Sequence, residues 1–259
     1  MSANTPGNFC WFELGTNDFD AAKAFYGALF GWSVEVNTDA GMPYGMVFHG
    51  GNSICGMYEL GPEMRDQGIP PHWMSYVATP DADATAAKAT ELGAIVMAGP
   101  FDVSTFGRMA AIADPTGAHI SIWEPKMHRG SDQVGPIGSF CWSELWTRDR
   151  DAAEAFYSKL FGWGLNHKDS GPMPYGEWTN GGIPIGGMLQ MNEQFGDAPP
   201  CWMPYVHVAD CDATVAKAKE LGGESMCEPT DIADVGRFAL FQDPQGATLA
   251  IVTLTMPEE

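Results

Sequence analysis

Two short stretches each place an indole and a carboxylate two residues apart. They are Trp11 and Glu13 in Phe9-Cys10-Trp11-Phe12-Glu13-Leu14, and Trp142 and Glu144 in Phe140-Cys141-Trp142-Ser143-Glu144-Leu145. On a strand, side chains two apart share a face, so each pair would present an aromatic surface beside one acid. That combination suits a flat or cationic ligand through stacking and cation–π attraction. A carboxylate within reach of a substrate proton could instead serve as a general base. Indoles that merely filled space would need no acid beside them, and a buried unpaired carboxylate is costly. Tyr44 and Tyr175, in two Met-Pro-Tyr-Gly segments, are candidates for the rim of such a pocket, although Pro-Tyr-Gly is also ordinary turn chemistry. Arg108 and Arg237 each follow a glycine at equivalent positions; they could neutralise Glu13 and Glu144 or serve structural ion pairs.

Other reactive residue types point to less. The six cysteines (10, 55, 141, 201, 211 and 227) form no Cys-x-x-Cys pair, so neither a zinc knuckle nor a redox motif is suggested. His49, His72, His167 and His207 lack partners at ligand spacing and have no counterpart histidine in the other half of the chain. Glu59, whose repeat partner is Gln190, would not hold an ion alone.

The elements that must position these groups are written twice. Phe9 to Trp32 returns as Phe140 to Trp163 with most positions identical, and Pro70 to Pro125 returns as Pro199 to Leu254. Such self-similarity marks an internal duplication. In each copy a strand leads to an aspartate with N-cap chemistry (Asp18, Asp149) and a helix with apolar residues at helical spacing. A glycine stop (Gly31, Gly162) ends that helix. In the first half, strands are expected at Ser33–Val36, Tyr44–His49 and Ser53–Leu60. A polar loop, Gly61 to Pro71, then precedes a second round: strand Trp73–Ala78, helix Asp83–Leu92, and strands Ala94–Met97, Arg108–Ala113 and His119–Trp123. An Asp-Pro-x-Gly turn separates the last two strands, at Asp114 and again at Asp243. The chain therefore reads as four β-α-β-β-β units.

Composition narrows the function. The 259 residues carry a formal net charge of −20, which repels phosphate backbones and anionic membrane surfaces alike. No apolar run approaches the ~20 residues of a membrane span, and the first residues show neither the basic nor the apolar region of an export signal. The expectation is a soluble cytoplasmic protein with reduced thiols that binds a small molecule, not nucleic acid or membrane.

The tandem of β-α-β-β-β units, the Asp-initiated Phe-Tyr helix followed by Leu-Phe-Gly-Trp, and the Asp-Pro-x-Gly turn before the last strand resemble the vicinal oxygen chelate superfamily. Its members include glyoxalase I, extradiol dioxygenases, and the fosfomycin and bleomycin resistance proteins. The resemblance spans residues 9–125 and 140–254. It implies an α+β fold of two tandem modules with cup-shaped mixed sheets: residues 1–126, a linker at 127–139, and residues 140–259. It also implies that the modules dock as a pseudo-two-fold pair within a monomer, with a homodimer left open.

Enzymes of that family hold a divalent metal in the cup with His, Glu or Gln. Seven residues before Asp18 and Asp149, where a ligand histidine is usual, stand Trp11 and Trp142. Seven residues after Asp114 and Asp243, where a glutamate is usual, stand Ser121 and Ala250. Trp73 and Trp202 lie near the remaining histidine position. An indole N–H has no lone pair for a cation, and an ion needs several converging N, O or S ligands. The resemblance therefore implies a cup without metal or other cofactor. By strand alternation, His119 and Trp123 flank Ser121, whereas Thr248 and Val252 flank Ala250, so the two cups have diverged. The function expected is metal-independent binding of a small, cationic or aromatic molecule, as in the bleomycin-resistance branch. The residues expected to line the sites are Trp11, Glu13, Tyr44, Trp73, His119, Ser121, Trp123, Trp142, Glu144, Tyr175 and Trp202. The alternative is a glyoxalase-like lyase or isomerase with Glu13 as general base; a metal-dependent dioxygenase does not suit these ligands.

Overall fold

The computed structural model describes residues 5–38, 43–168 and 173–255. Each half of the chain forms one open eight-stranded mixed sheet, so the fold is α+β with two tandem modules. In the first half the strands are β1 (Phe9–Thr16), β2 (Ser33–Asn37), β3 (Tyr44–His49), β4 (Asn52–Glu59), β5 (His72–Ala78), β6 (Ile95–Val103), β7 (Gly107–Ala113) and β8 (His119–Pro125). The helices between them are α1 (Phe19–Phe30), α2 (Pro62–Asp66) and α3 (Ala82–Glu91). The second half repeats the order with β9 (Phe140–Thr147), α4 (Arg150–Phe161), β10 (Gly164–His167), β11 (Tyr175–Asn180), β12 (Ile183–Gln190), β13 (Cys201–His207), α5 (Cys211–Glu220), β14 (Glu224–Ile232), β15 (Gly236–Gln242) and β16 (Thr248–Leu254). The strand orders are β2-β3-β4-β1-β5-β8-β7-β6 and β10-β11-β12-β9-β13-β16-β15-β14. The four-unit pattern read from the sequence is thus the observed one.

Two local readings change. The loop expected at Gly61 to Pro71 contains α2, with Pro62 in its first turn, where a missing N–H costs nothing. Strand β6 runs to Val103 instead of stopping at Met97, because register shifts let the pairing with β7 pass Gly99 and Pro100.

The repeated helices form for the reasons their sequences suggest. Asp18 caps α1 by accepting from Ala21 N, and Gly31 closes it at φ 74°. Asp149 and Gly162 do the same for α4, at φ 76°. Their buried faces match: Ala22, Phe25, Tyr26 and Leu29 in α1, and Ala153, Phe156, Tyr157 and Leu160 in α4.

By proximity the described residues fall into two compact units, each drawing on both halves of the sequence. One contains the residues up to Trp11, Met74–Gly130 and Trp142–Met203. The other contains Phe12–Trp73, Ser131–Cys141 and the residues from Pro204 onward. The core of the first centres on Tyr157, stacked on Trp163 at 5.5 Å and edge-on to Trp202 at 5.3 Å. The core of the second centres on Tyr26, stacked on Trp32 at 5.7 Å and edge-on to Trp73 at 5.4 Å. Burying each such aromatic contributes roughly 1.5–3 kcal/mol. None of the described helices is long and apolar enough to cross a membrane.

Candidate functional site

The two carboxylates singled out by the sequence occupy matching places. Glu13 lies opposite Gly56 where β1 runs parallel to β4, and Glu144 lies opposite Gly187 where β9 runs parallel to β12. Each is met by the tyrosine that opens the next hairpin. The Tyr44 hydroxyl donates to Glu13 Oε1 at 2.7 Å, and the Tyr175 hydroxyl is hydrogen-bonded to Glu144. The structure therefore brings Glu13 with Tyr44, and Glu144 with Tyr175, into contact.

The charge of Glu13 is felt by its surroundings. Burial, and then that charge, push the Tyr58 phenol and the Cys55 thiol above their ordinary values. Both groups stay protonated beside it. Around Glu144 the arrangement is denser. Trp146 Nε1 donates to Glu144 Oε1 at 2.7 Å, and Trp142 Nε1 donates to the Tyr175 hydroxyl at 3.2 Å. Burial, then the Glu144 charge, hold the Tyr175 phenol protonated and push the Cys201 thiol up to about 12. Trp146 was not among the expected site residues, yet it is the next side chain on Glu144's face of the strand.

Trp11 and Trp123 are walled in. Trp11 is 3% exposed and meets the His128 ring edge-on at 4.4 Å; Trp123 is 6% exposed and donates from Nε1 to the His128 carbonyl at 2.9 Å. Gly107 makes room for the Trp123 ring, since a Cβ there would overlap it. His128 belongs to the segment read as linker, and composition alone did not mark it. Ser121 is 1% exposed and its hydroxyl has no hydrogen-bond partner among the described residues. His119 lies exposed at the start of β8.

Trp73 and Trp202 need a correction. Tyr76 pairs with Ser121, and Tyr205 with Ala250, so alternation along β5 and β13 turns Trp73 and Trp202 to the opposite face. There the indole N–H groups are used: Trp73 donates to the Tyr26 hydroxyl at 3.0 Å and Trp202 to the Tyr157 hydroxyl at 2.7 Å. The arginines are also accounted for elsewhere. Arg108 forks onto Asp83 and reaches Asp102, while Arg237 forks onto Asp212 and reaches Asp231. These are structural ion pairs, not counter-ions to Glu13 and Glu144. Glu59 pairs with Arg65 at 3.2 Å.

The description of the matching family model is glyoxalase/bleomycin resistance protein/dioxygenase superfamily, and it matches twice, over residues 9–122 and 137–251. The chain belongs to this superfamily. Among its superfamily relatives, the protein CFP32 of Mycobacterium tuberculosis, which carries a provisional glyoxylase name, is 37% identical over 93% of this chain and 93% of its own. The anthracycline biosynthesis protein DnrV of Streptomyces peucetius is 35% identical over 98% of this chain and 96% of its own. Among solved structures, the Mn(II)-bound glyoxalase of Novosphingobium aromaticivorans aligns with a TM-score of 0.63 at 15% identity, covering 96% of this chain and 82% of that one. The 2,3-dioxygenase LapB of Pseudomonas sp. KL28 aligns with a TM-score of 0.61 at 10% identity, covering 98% and 96%. At these identities the structural likeness speaks to fold alone.

A divalent metal, as held by the manganese-bound superfamily glyoxalase, finds a poor donor set here. The positions matching the usual ligands carry Trp11, Trp142, Ser121 and Ala250, and neither an indole nor a methyl group can coordinate. Among the described residues, the group of His, Cys, Asp or Glu close enough together to hold an ion is Asp81, Asp83 and Glu124. Those oxygens already serve the start of α3: Asp81 caps it, Asp83 takes Arg108, and Glu124 accepts from Ala82 N. The residues do not fit the metal.

Proposed function

We propose that this protein is a metal-independent small-molecule-binding member of its superfamily, taking a flat aromatic ligand against indole and phenol rings beside Glu13 or Glu144. The observation that carries this reading is chemical. Where the family supplies coordinating side chains, this chain carries the rings of Trp11 and Trp142 and the small Ser121 and Ala250, and each neighbouring carboxylate is oriented by a tyrosine hydroxyl. A carboxylate fixed by neutral donors in partial burial is a selective hydrogen-bond acceptor, since a buried polar site discriminates against ligands that leave it unmatched. Stacking supplies the remaining attraction. The relatives named for anthracycline biosynthesis support a polycyclic aromatic ligand class. The strongly negative chain supports a ligand that is neutral or cationic, not anionic. The protein acts in the cytoplasm as a monomer, without nucleic acid or membrane.

Titration of intrinsic tryptophan fluorescence with polycyclic aromatic compounds, with and without chelator, tests the proposal. Saturable quenching that chelation leaves unchanged is expected. Binding that appears only on adding manganese, nickel or zinc would overturn metal independence, and silence across the panel would overturn ligand binding.

A second reading is favoured by one contact. Glu13 is half-buried and accepts a short hydrogen bond from the Tyr44 hydroxyl, a geometry that suits a general base with a neutral partner. On that reading the protein is a glyoxalase-like lyase or isomerase of a small metabolite. Loss of turnover in Glu13→Gln on a candidate substrate would support it; unchanged turnover would remove Glu13 from the role.

A further inference from the structure

The two carboxylates are held in different ways. Strand β9 continues from Glu144 to Trp146, and that indole donates to Oε1. In the first half the same position is Gly15, where even a Cβ would lie 3.0 Å from Leu60 Cδ2 and the Tyr58 hydroxyl and 3.1 Å from the His72 ring. A second indole there would require Leu60, Tyr58 and His72 to give way. The second half also has room where it needs it: Gly187, opposite Glu144, lets the Tyr175 hydroxyl and Trp142 Nε1 lie directly over the strand.

The result is a relay with a single direction. Trp142 N–H donates to the Tyr175 oxygen, Tyr175 O–H donates to Glu144, and Trp146 N–H donates to Glu144 from another side. Glu144 is 8% exposed. Indole and phenol donors stabilise an anion without cancelling its charge, so the field of the carboxylate survives at the surface of the cage. Trp142, Trp146 and Tyr175 are themselves half-buried, leaving part of each ring accessible. Phe195 braces Trp146 edge-on at 5.4 Å. Electron-rich rings around one buried carboxylate are what attract an organic cation.

We infer that Glu144, with Trp142, Trp146 and Tyr175, forms an anchor for an organic ammonium group, and that Trp146 makes this a property of the second half of the chain alone. The inference rests on the ligand-binding reading and adds to it the charge of the ligand and the half that takes it.

Calorimetry with two probes of one shape separates the claims: naphthylmethylammonium and the uncharged naphthylmethanol. The wild-type protein should bind the ammonium roughly ten-fold more tightly or better, as a desolvated cation contact requires. Glu144→Gln should bring the ratio close to one by weakening the ammonium far more than the alcohol. Trp146→Phe, which keeps a ring and loses the N–H, should lower the ratio, and it serves as the second variant should Glu144→Gln fold poorly. Glu59→Gln, which removes a carboxylate paired with Arg65, should leave the ratio as in wild type. Equal affinity for both probes in the wild type would overturn the ammonium anchor while leaving aromatic binding standing. Failure of both probes to bind would overturn both. A preference that survives Glu144→Gln, or disappears in Glu59→Gln, would overturn the assignment to Glu144.

Discussion

The Tyr26 hydroxyl donates a 2.9 Å hydrogen bond to Asp243 Oδ2, joining residues 217 apart in the chain. Its copy joins Tyr157 to Asp114 at 2.8 Å. Two motifs that recur in the sequence, the helical Phe-Tyr pair and the Asp-Pro-x-Gly turn, are thus the two ends of one buried contact. Each tyrosine finds the aspartate of the other half. The division of labour at the aspartate explains the motif. In each turn Oδ1 accepts from the backbone N–H groups that follow it, leaving Oδ2 for the phenol. Trp73 and Trp202 then donate to the two phenol oxygens.

Removing either hydroxyl tests this contact. Tyr26→Phe leaves an Asp243 oxygen and the Trp73 N–H unmatched in the interior, and Tyr157→Phe does the same to Asp114 and Trp202. Each should destabilise the protein by about 1–3 kcal/mol, read as a lower urea midpoint with the slope unchanged. A shift too small to resolve would mean that water replaces the phenol.

Asp243 also gives the contact a pH signature. Burial holds its carboxyl above the ordinary aspartate value of 3.8, partly offset by the Ala247 N–H and the Tyr26 hydroxyl. The folded protein therefore keeps the proton more tightly than the unfolded chain. The stability this contributes is complete below the ordinary value and is lost as pH rises through the raised folded value. Asp243→Asn cannot titrate there. The stability of wild type relative to Asp243→Asn should therefore fall as pH is raised through that window and flatten above it. Urea melts at a series of pH values check this; a difference that grows with pH would contradict it.

What was legible in the chain is what local pattern controls. Asp18, Gly31 and the Ala22-Phe25-Tyr26-Leu29 stripe announce α1 without reference to anything distant, and their copies announce α4. The pairing of Glu13 with Tyr44 was within reach because both recur at fixed offsets. Three things were not. The face Trp73 takes on β5 does not follow from its place near the remaining histidine position; the register of Tyr76 with Ser121 decides it. Trp146 was hidden by comparison of the repeats, since its copy is a glycine. The bond from Tyr26 to Asp243 depends on which half meets which, and no local periodicity carries that information.

The corrected place of Trp73 and Trp202 makes them stability residues. Trp73→Phe and Trp202→Phe keep a buried ring and lose one N–H donor, which should cost about 1 kcal/mol each, and more where the smaller ring leaves a void. Ligand titrations should be unchanged. Trp142→Phe should behave in the opposite way: its indole is half-buried, so stability should move little while binding weakens. Calorimetry and urea melts on the three variants separate the two classes, and a binding defect in Trp73→Phe with normal stability would return that residue to the site.

Gly187 is the most economical place to disturb the Glu144 cage without touching a polar group. A Cβ there would collide with the Tyr175 hydroxyl and come within 3.0 Å of Trp142 Nε1. The residue lies in β12 in extended backbone, so alanine is conformationally acceptable and the whole effect is steric. Gly187→Ala should push Tyr175 off Glu144 and leave the carboxylate with one donor fewer. Overpacking of this kind costs roughly 1–3 kcal/mol, and the displaced phenol should lose its hydrogen bond as well as its position. Because burial and then the Glu144 charge hold the Tyr175 phenol above its ordinary value, moving it outward should lower its titration midpoint toward that of a free tyrosine. Ultraviolet difference titration of Gly187→Ala against wild type would show one tyrosine ionising earlier. An unchanged phenol titration would mean that the strand, not the ring, gives way, and that the cage keeps its geometry by shifting the backbone of β12.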